Sequence, residues 1–252
     1  MTEVEVQLKE FERIEDLQFK GLRIIQNTSK FCFGTDAVLL SHFAGIRKGD
    51  IVVDLGTGTG IIPLLLAGRM EEASICGVEI QSETAEMANR SIHMNRLESR
   101  VKILEGDLKD AQEKLGKGSC SLVVSNPPYK KVGSGILNPQ DDIAIARHEI
   151  LCTLEDVLLS ASRLLQAGGR FAMVHRPDRM MDILMGMRRV HLEPKRIRMV
   201  HPQLHKAPSL ILIEAVFHGK PHLNWMPPLI IYNENNQYTD ELKEIYHLTS
   251  AT

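Results

Sequence analysis

From Asp50 onward the chain alternates short, β-rich apolar runs with segments of helical period. The runs IVVDL (51–55), SICGVEI (74–80), VKILEGD (101–107), CSLVVSN (120–126) and RFAMVH (170–175) read as buried strands. Helical patterns lie between them, from about 61, over 83–95, near 109–115, over 154–166 and over 178–189. Strands separated by helices build βαβ units and a parallel sheet covered on both faces. Two later runs, IRMV (197–200) and SLILIEAVF (209–217), have eight residues between them, too few for a helical crossover, so they should pair antiparallel. Gly168 and Gly169 stand where a helix C-cap would release the chain into the fifth strand.

The ends carry weaker patterns. LRIIQ and KFCFG suggest a small hairpin through Asn27-Thr28-Ser29. Thr35 or Asp36 offers an N-cap for a helix AVLLSHFAG that stops near Gly45. From Pro221 the chain turns polar and rich in Pro and Asn, the pattern of a loosely packed tail. The implied organisation is an N-terminal extension (1–45), a single α/β domain (46–220) and a C-terminal tail (221–252).

At 252 residues, with 43% apolar and 25% charged positions, the composition is that of an ordinary globular domain. A net charge of −2 excludes a protein that coats nucleic acid through bulk charge. No run approaches the ~18 apolar residues of a membrane span, and the acidic start MTEVEVQLKEFERIEDL is the reverse of a signal peptide. Cys32, Cys76, Cys120 and Cys152 are scattered without a CxxC pair, which argues for a reducing, cytoplasmic setting and against zinc. His201 and His205 have HxxxH spacing but no neighbouring acid or cysteine, so no metal is expected there.

Asp54-Leu55-Gly56-Thr57-Gly58-Thr59-Gly60 ends one predicted strand and opens a helix. Glycines let the backbone turn tightly and come close to a ligand, and the carboxyl edge of a parallel sheet is where ligands bind. No GK[ST] follows, against a phosphate-cradling loop, and Ile61 takes the place of the third glycine of a dinucleotide fingerprint. An acid directly before the turn is awkward for a pyrophosphate and suits a cationic ligand. Glu79, at the end of the second strand, is placed to accept from a ribose diol. Asp107, after the third, suits either an adenine amine or a helix N-cap.

Asn126-Pro127-Pro128-Tyr129 follows the fourth strand directly. Two prolines cannot continue a ladder, so the chain leaves the sheet here in a stiffened bend. The Asn126 side-chain oxygen and the Pro127 carbonyl would form two convergent acceptors for a planar NH2, and Tyr129 a face on which a base stacks.

With these two motifs the chain resembles the S-adenosylmethionine-dependent amino-methyltransferases over roughly residues 20–220. Within that group FCFGTDAVLL (31–40), the short N-terminal extension and Ala146-Arg147-His148-Glu149 are similar to the bacterial enzymes that methylate N6 of adenine-37 in a valine tRNA. The resemblance implies a Rossmann-like, class I methyltransferase fold, a mainly parallel seven-stranded sheet closed by an antiparallel hairpin. It also implies S-adenosylmethionine as cofactor, bound by Asp54, Gly56, Gly58, Gly60, Glu79 and Asp107, with Thr35 and Asp36 near its methionine end. Asn126, Pro127, Pro128 and Tyr129 become the catalytic loop, and RNA, in particular a tRNA anticodon-loop adenine, becomes the substrate.

Two alternatives remain open. The same NPPY bend serves enzymes that methylate a protein glutamine amide, for instance in a translation release factor, though these usually carry a helical domain ahead of the core. A non-catalytic RNA-binding module on the same scaffold is the other. Charge bears on the choice: residues 187–206 hold Arg188, Arg189, Lys195, Arg196, Arg198 and Lys206 against the single acid Glu193, a candidate phosphate-binding face. Lys130 and Lys131, just past the bend, could contact phosphates beside an extruded base.

Overall fold

The computed structural model describes residues 6–29, 34–127 and 152–248. Its centre is a sheet in which β3 (Ile51–Leu55), β4 (Ser74–Glu79), β5 (Val101–Glu105), β6 (Cys120–Ser125) and β7 (Leu165–His175) run parallel, in the spatial order β5-β4-β3-β6-β7. The strand β9 (Leu210–Phe217) lies antiparallel beside β7, and β8 (Leu192–His201) lies antiparallel beside β9. The seven expected strands and the closing hairpin are therefore present, and two short strands beyond β8 bring the sheet to nine. β8 runs in the same direction as the five parallel strands.

Helices cover both faces. α1 (Thr35–Phe43) and α2 (Ile61–Arg69) pack on one side, where Leu39, Leu40, Leu64 and Leu66 are fully or almost fully buried. On the opposite face α5 (Leu154–Leu164) and α6 (Met180–Arg189) bury Val157, Leu158, Leu164 and Met187. α3 (Ser82–Met94) follows β4, and the short α4 (Ala111–Leu115) follows β5. A reciprocal capping box between Thr153 and Asp156 starts α5.

Several expectations need correction. An N-terminal hairpin pairs β1 (Glu12–Asp16) with β2 (Arg23–Asn27), so 22–26 finds a partner upstream; of the expected downstream strand KFCFG, residues 30–33 lie outside the described residues. This hairpin leans on α3: Arg90 grips both oxygens of Glu12, and Ser91 and Asn95 accept from the Ile25 and Arg23 amides. Those bonds satisfy donors that a bare edge strand would leave open. The N-cap of α1 is Gly34 rather than Thr35 or Asp36, and Asp36 Oδ1 accepts from the Ala37 amide instead. Gly168 is no helix cap. α5 stops at Leu164, and Gly168, at φ 78°, serves the irregularity that throws Leu165 and Arg170 opposite Cys120 and Leu122.

β8 starts five residues earlier than its apolar core suggests, because Pro194 sits at a bulge where the register with β9 shifts. Nor is the segment after Pro221 loosely packed. β10 (Asn224–Trp225) and β11 (Leu229–Ile230) pair with β8, and α7 (Asp240–Ile245) follows. Leu229, Leu242 and Ile245 enter the same core as α1 and α2.

A buried ion pair orients α1. Arg170, at the amino end of the regular part of β7, donates to Asp50 Oδ2 at 2.7 Å and to the Ala44 and Gly45 carbonyls just past α1. The C-terminus of α1 is thus held at the amino edge of the sheet. Its N-terminus, with Thr35 and Asp36, lies at the carboxyl edge.

Candidate active site at the carboxyl edge of the sheet

β3 and β6 are neighbours, so the glycine-rich turn and the Asn126-Pro127 bend leave the sheet side by side. Ser125 Oγ donates to the Leu55 carbonyl at 2.8 Å and ties the two exits together. Asn126 is half-buried and Pro127 buried. Pro128, Tyr129, Lys130, Lys131 and Ala146–Glu149 lie outside the described residues.

The turn is held by backbone bonds. The Gly56 and Thr57 amides both donate to the Val78 carbonyl at 3.0 Å, and the Gly60 amide donates to the Thr57 carbonyl. Gly56, Gly58 and Gly60 all have positive φ (74°, 56° and 81°), which a side chain would strain. A Cβ at Gly56 or Gly58 would meet nothing within 4 Å, so the surface they present is open. At Gly60 the constraint is packing as well, since its Cβ would press on Ala88 at 3.2 Å.

Two carboxylates border that surface. Glu79 is buried, and its oxygens accept from the Gly58 and Gln81 amides, both at 2.9 Å. Each oxygen keeps a further lone pair for an outside donor. Asp54 is fully buried, and neither its two oxygens nor Thr57 Oγ1 has a hydrogen-bond partner of ordinary geometry. Burial pushes the Asp54 carboxyl up to about 7; the adjacent Thr57 side chain opposes the rise, and the Glu79 carboxylate adds to it. Buried polar atoms without partners are costly, and their presence at the end of a sheet beside an open glycine surface points to a ligand that supplies the missing donor. Gly77, across from Asp54, leaves the room Thr57 needs: a Cβ there would lie 2.7 Å from Thr57 Cγ2 and Oγ1.

Asp107 caps the single turn Leu108–Asp110 through the Lys109 amide and also pairs with the Lys109 ammonium at 3.1 Å. It occupies the same edge, one strand beyond Glu79. His175, at the end of β7 beside the Asn126 exit, was not singled out from the sequence. It is buried, its Nδ1 accepts from the Arg176 amide, and burial pushes its pKa down to about 4. Near pH 7 His175 is therefore a neutral imidazole with its proton on Nε2. A His closing an apolar strand is the only signal the sequence offers for it.

The basic stretch is less open than its composition suggests. Arg188 pairs with Glu193, Arg196 with Glu214, and Arg198 with Glu241, so acids from outside the stretch absorb two of the charges. Arg196 also lies over the Phe43 ring and donates to its carbonyl. Lys195 donates to the Lys220 carbonyl. Arg189 and Lys206 are exposed. Among the described residues no group of three metal-ligating side chains is assembled, and no helix is long and apolar enough to cross a membrane.

A family model described as methyltransferase small domain matches residues 27–190. A protein of Porphyromonas gingivalis named tRNA1(Val) (adenine(37)-N6)-methyltransferase is 35% identical over 202 residues, covering 78% of each chain. One of the same name from Bacteroides thetaiotaomicron is 27% identical over 229 residues, 90% of this chain and 94% of that one. Among solved structures, a predicted O-methyltransferase of Agrobacterium tumefaciens superposes with a TM-score of 0.70 at 22% identity, over 84% of this chain and 96% of that one. A geranyl diphosphate C-methyltransferase of Streptomyces coelicolor, solved with S-adenosyl-L-homocysteine, gives 0.54 at 18% identity over 72% and 79%. The last two similarities speak to the fold.

Proposed function

The chain belongs to the methyltransferase small domain family, and on that premise we propose that it transfers the methyl group of S-adenosylmethionine to the exocyclic N6 amine of an adenine in tRNA, most specifically an anticodon-loop adenine. The observation that carries this reading is the pairing of two exits from adjacent strands: an orphaned, buried Asp54 beside an open glycine turn, and an Asn-Pro bend tied to it through Ser125. The relatives named for adenine-37 of a valine tRNA supply the substrate class.

The residues present fit the cofactor. Asp54 would meet its ammonium, the unused lone pairs of Glu79 its ribose hydroxyls, and the bare backbone of Gly56 and Gly58 would allow close approach. Thr35 and Asp36, at the same edge, would border the methionine end, and Asp107 the adenine. When bound, S-adenosylmethionine supplies an electrophilic methyl carbon on a sulfonium.

The protein's own part is mostly positioning. The Asn126 side-chain oxygen and the Pro127 carbonyl accept the two N–H bonds of the target amine, which frees its lone pair from the ring and fixes its direction. Orientation of this kind supplies up to about 7–11 kcal/mol of a barrier. The amine sheds a proton only after it has gained charge, so no strong base is needed within the bend. Pro128 and Tyr129 complete the catalytic loop, with Tyr129 as a stacking face for the extruded base. An unpaired loop base costs less to extrude than one in a duplex. Lys130, Lys131 and the exposed Arg189 and Lys206 are the cations assigned to flanking phosphates. The setting is the cytoplasm, where tRNA is modified.

The test compares Asn126→Ala with the unaltered protein, using tritiated S-adenosylmethionine and tRNA, alongside calorimetry with S-adenosylhomocysteine. Transfer should fall at least 100-fold while cofactor affinity changes less than threefold. Equal loss of both would remove Asn126 from the role given to it. Methyl transfer to a protein glutamine in place of tRNA would overturn the substrate.

A further inference from the structure

Three tyrosines in the C-terminal segment form a ladder that runs from the core out to the surface. Tyr232 and Tyr238 face each other across an antiparallel bridge, with ring centroids 5.4 Å apart and 26° between planes. Tyr238 continues onto Tyr246 at 6.0 Å and 18°. Both separations fall in the favourable range for aromatic pairs.

The ladder is rigidly built. Tyr232 N donates to the Pro202 carbonyl, Asn233 N to the Gln237 carbonyl, and Asn236, at φ 56°, closes the turn onto Asn233. Gln203 Nε2 donates to Asn236 Oδ1 at 2.6 Å and pins the turn to the β8–β9 loop. At the inner end the Tyr246 hydroxyl lies beside the side chain of Thr35, the first residue of α1. At the outer end Tyr232 keeps 37% of its surface exposed. Packing accounts for the inner rings, which join the core as partly buried side chains, but leaves more than a third of the outer one uncovered.

Its position is telling. β11 pairs with the last residues of β8, so the ladder stands at the carboxyl edge, the same edge as Asn126. From β6 to β11, which precedes Tyr232, the sheet steps through β7, β9 and β8, four steps of about 4.8 Å, or about 19 Å. That is the length of about five to six stacked nucleotides at about 3.4 Å each. The neighbouring charge is mixed: Lys206 and His205 are exposed, Asp240 is held by Lys243 at 2.9 Å, and Glu234 is exposed. With Lys206 left for a flanking phosphate and acids beside it, the ring itself brings no charge to this surface, and its exposed part suits a base.

We propose that Tyr232 is the open end of a stacking platform that receives an unpaired base of the substrate RNA a few nucleotides from the methylated adenine. This rests on the proposed function. The rigid ladder holds the platform in place before RNA arrives, so no ordering of the ring is needed on binding.

The experiment measures the KM for tRNA with Tyr232→Ala, Tyr232→Phe and Tyr232→Trp at about 50 and 200 mM salt, together with the affinity for S-adenosylhomocysteine. Tyr232→Ala should raise KM about 5- to 100-fold, the range one base–aromatic stack supplies, by the same factor at both salts. Phe should stay within about twofold of the unaltered protein, and Trp should bind tRNA at least as tightly. Cofactor affinity should hold in all three. An unchanged KM in Tyr232→Ala, a loss that depends strongly on salt, or a loss as large in Phe as in Ala would overturn the platform. Should Tyr232→Ala fail to fold, as lost cofactor binding would report, Tyr232→Trp decides: weakened tRNA binding in a folded Trp variant overturns it. If the unaltered protein methylates no tRNA, the proposed function itself falls, a result read before any variant is made.

Discussion

The substitution Asp54→Asn isolates the most unusual group in the molecule. Moving a carboxyl from its ordinary 3.8 to about 7 sets about 4 kcal/mol against its ionised form, at about 1.36 kcal/mol per tenfold in acidity. The folded pKa lies above the unfolded one, so between pH 3.8 and 7 the unfolded chain releases a proton that the folded chain keeps. Stability without cofactor is therefore lost as pH rises through that window and levels off above 7. From pH 5 to pH 8 the loss from this group is about 2–3 kcal/mol. The amide of the Asp54→Asn protein does not titrate and brings no such dependence. His175 acts in the opposite direction, since its pKa is depressed to about 4 and its contribution grows as pH rises from there towards 6.5. It is present in both proteins and cancels in the difference. Urea unfolding of the two proteins at pH 5 and pH 8, extrapolated linearly, reads the quantity directly. The Asp54→Asn variant should gain about 2–3 kcal/mol on the unaltered protein between those pH values. The same carboxylate must ionise to hold an ammonium, so S-adenosylhomocysteine should bind the unaltered protein about tenfold more weakly at pH 6 than at pH 8. In the variant that affinity should be low and flat. A stability difference that stays constant from pH 5 to pH 8 would refute the raised pKa, and with it the view that Asp54 is an orphan awaiting a cation.

Two further substitutions probe the frame around the site. Gly77→Ala would place a Cβ 2.7 Å from Thr57 and 2.9 Å from Ile103 Cδ1; it should cost about 1–3 kcal/mol in urea unfolding and weaken S-adenosylhomocysteine binding in calorimetry, because Thr57 sits within the glycine turn. Arg170→Met leaves Asp50 buried without its partner, although Ser121 and the Arg47 amide still donate to it. Loss of one member of a buried pair costs about 3–5 kcal/mol, and the thermal midpoint should fall accordingly while Asn126 and the turn, at the far edge of the sheet, keep their chemistry.

How much of this the sequence disclosed follows from the range of the interactions involved. The five parallel strands are two-sided and buried, so IVVDL and CSLVVS announce themselves as continuous apolar runs whatever surrounds them. The glycine turn and the Asn-Pro bend are equally local: glycine and proline act on their own φ angles. The upstream partner of 23–27 was not legible because β1 is anchored from far away, by a salt bridge from Glu12 to Arg90, 78 residues on. Pro194 hid the first half of β8, since its bulge is tolerated only through the register with β9. The basic stretch looked free for the same reason. Glu214 and Glu241 neutralise it from other elements, and a window of twenty residues cannot count them.

The C-terminal segment shows where local reading stops being informative. Its composition is polar because β10, β11 and the turn 232–238 lie at the rim of the sheet, each contributing only a few side chains to the interior. Leu229, Leu242 and Ile245 enter the core one at a time, with no period a short window would detect. Yet this segment brings Tyr246 against Thr35 and so joins the end of the chain to the α1 terminus at the cofactor edge. The half proposed to meet S-adenosylmethionine is built from consecutive residues on two or three strands, and motifs suffice to find it. The platform proposed for RNA is assembled from residues near 203, 232, 238 and 246, each unremarkable in sequence, and only the folded chain brings them to one edge.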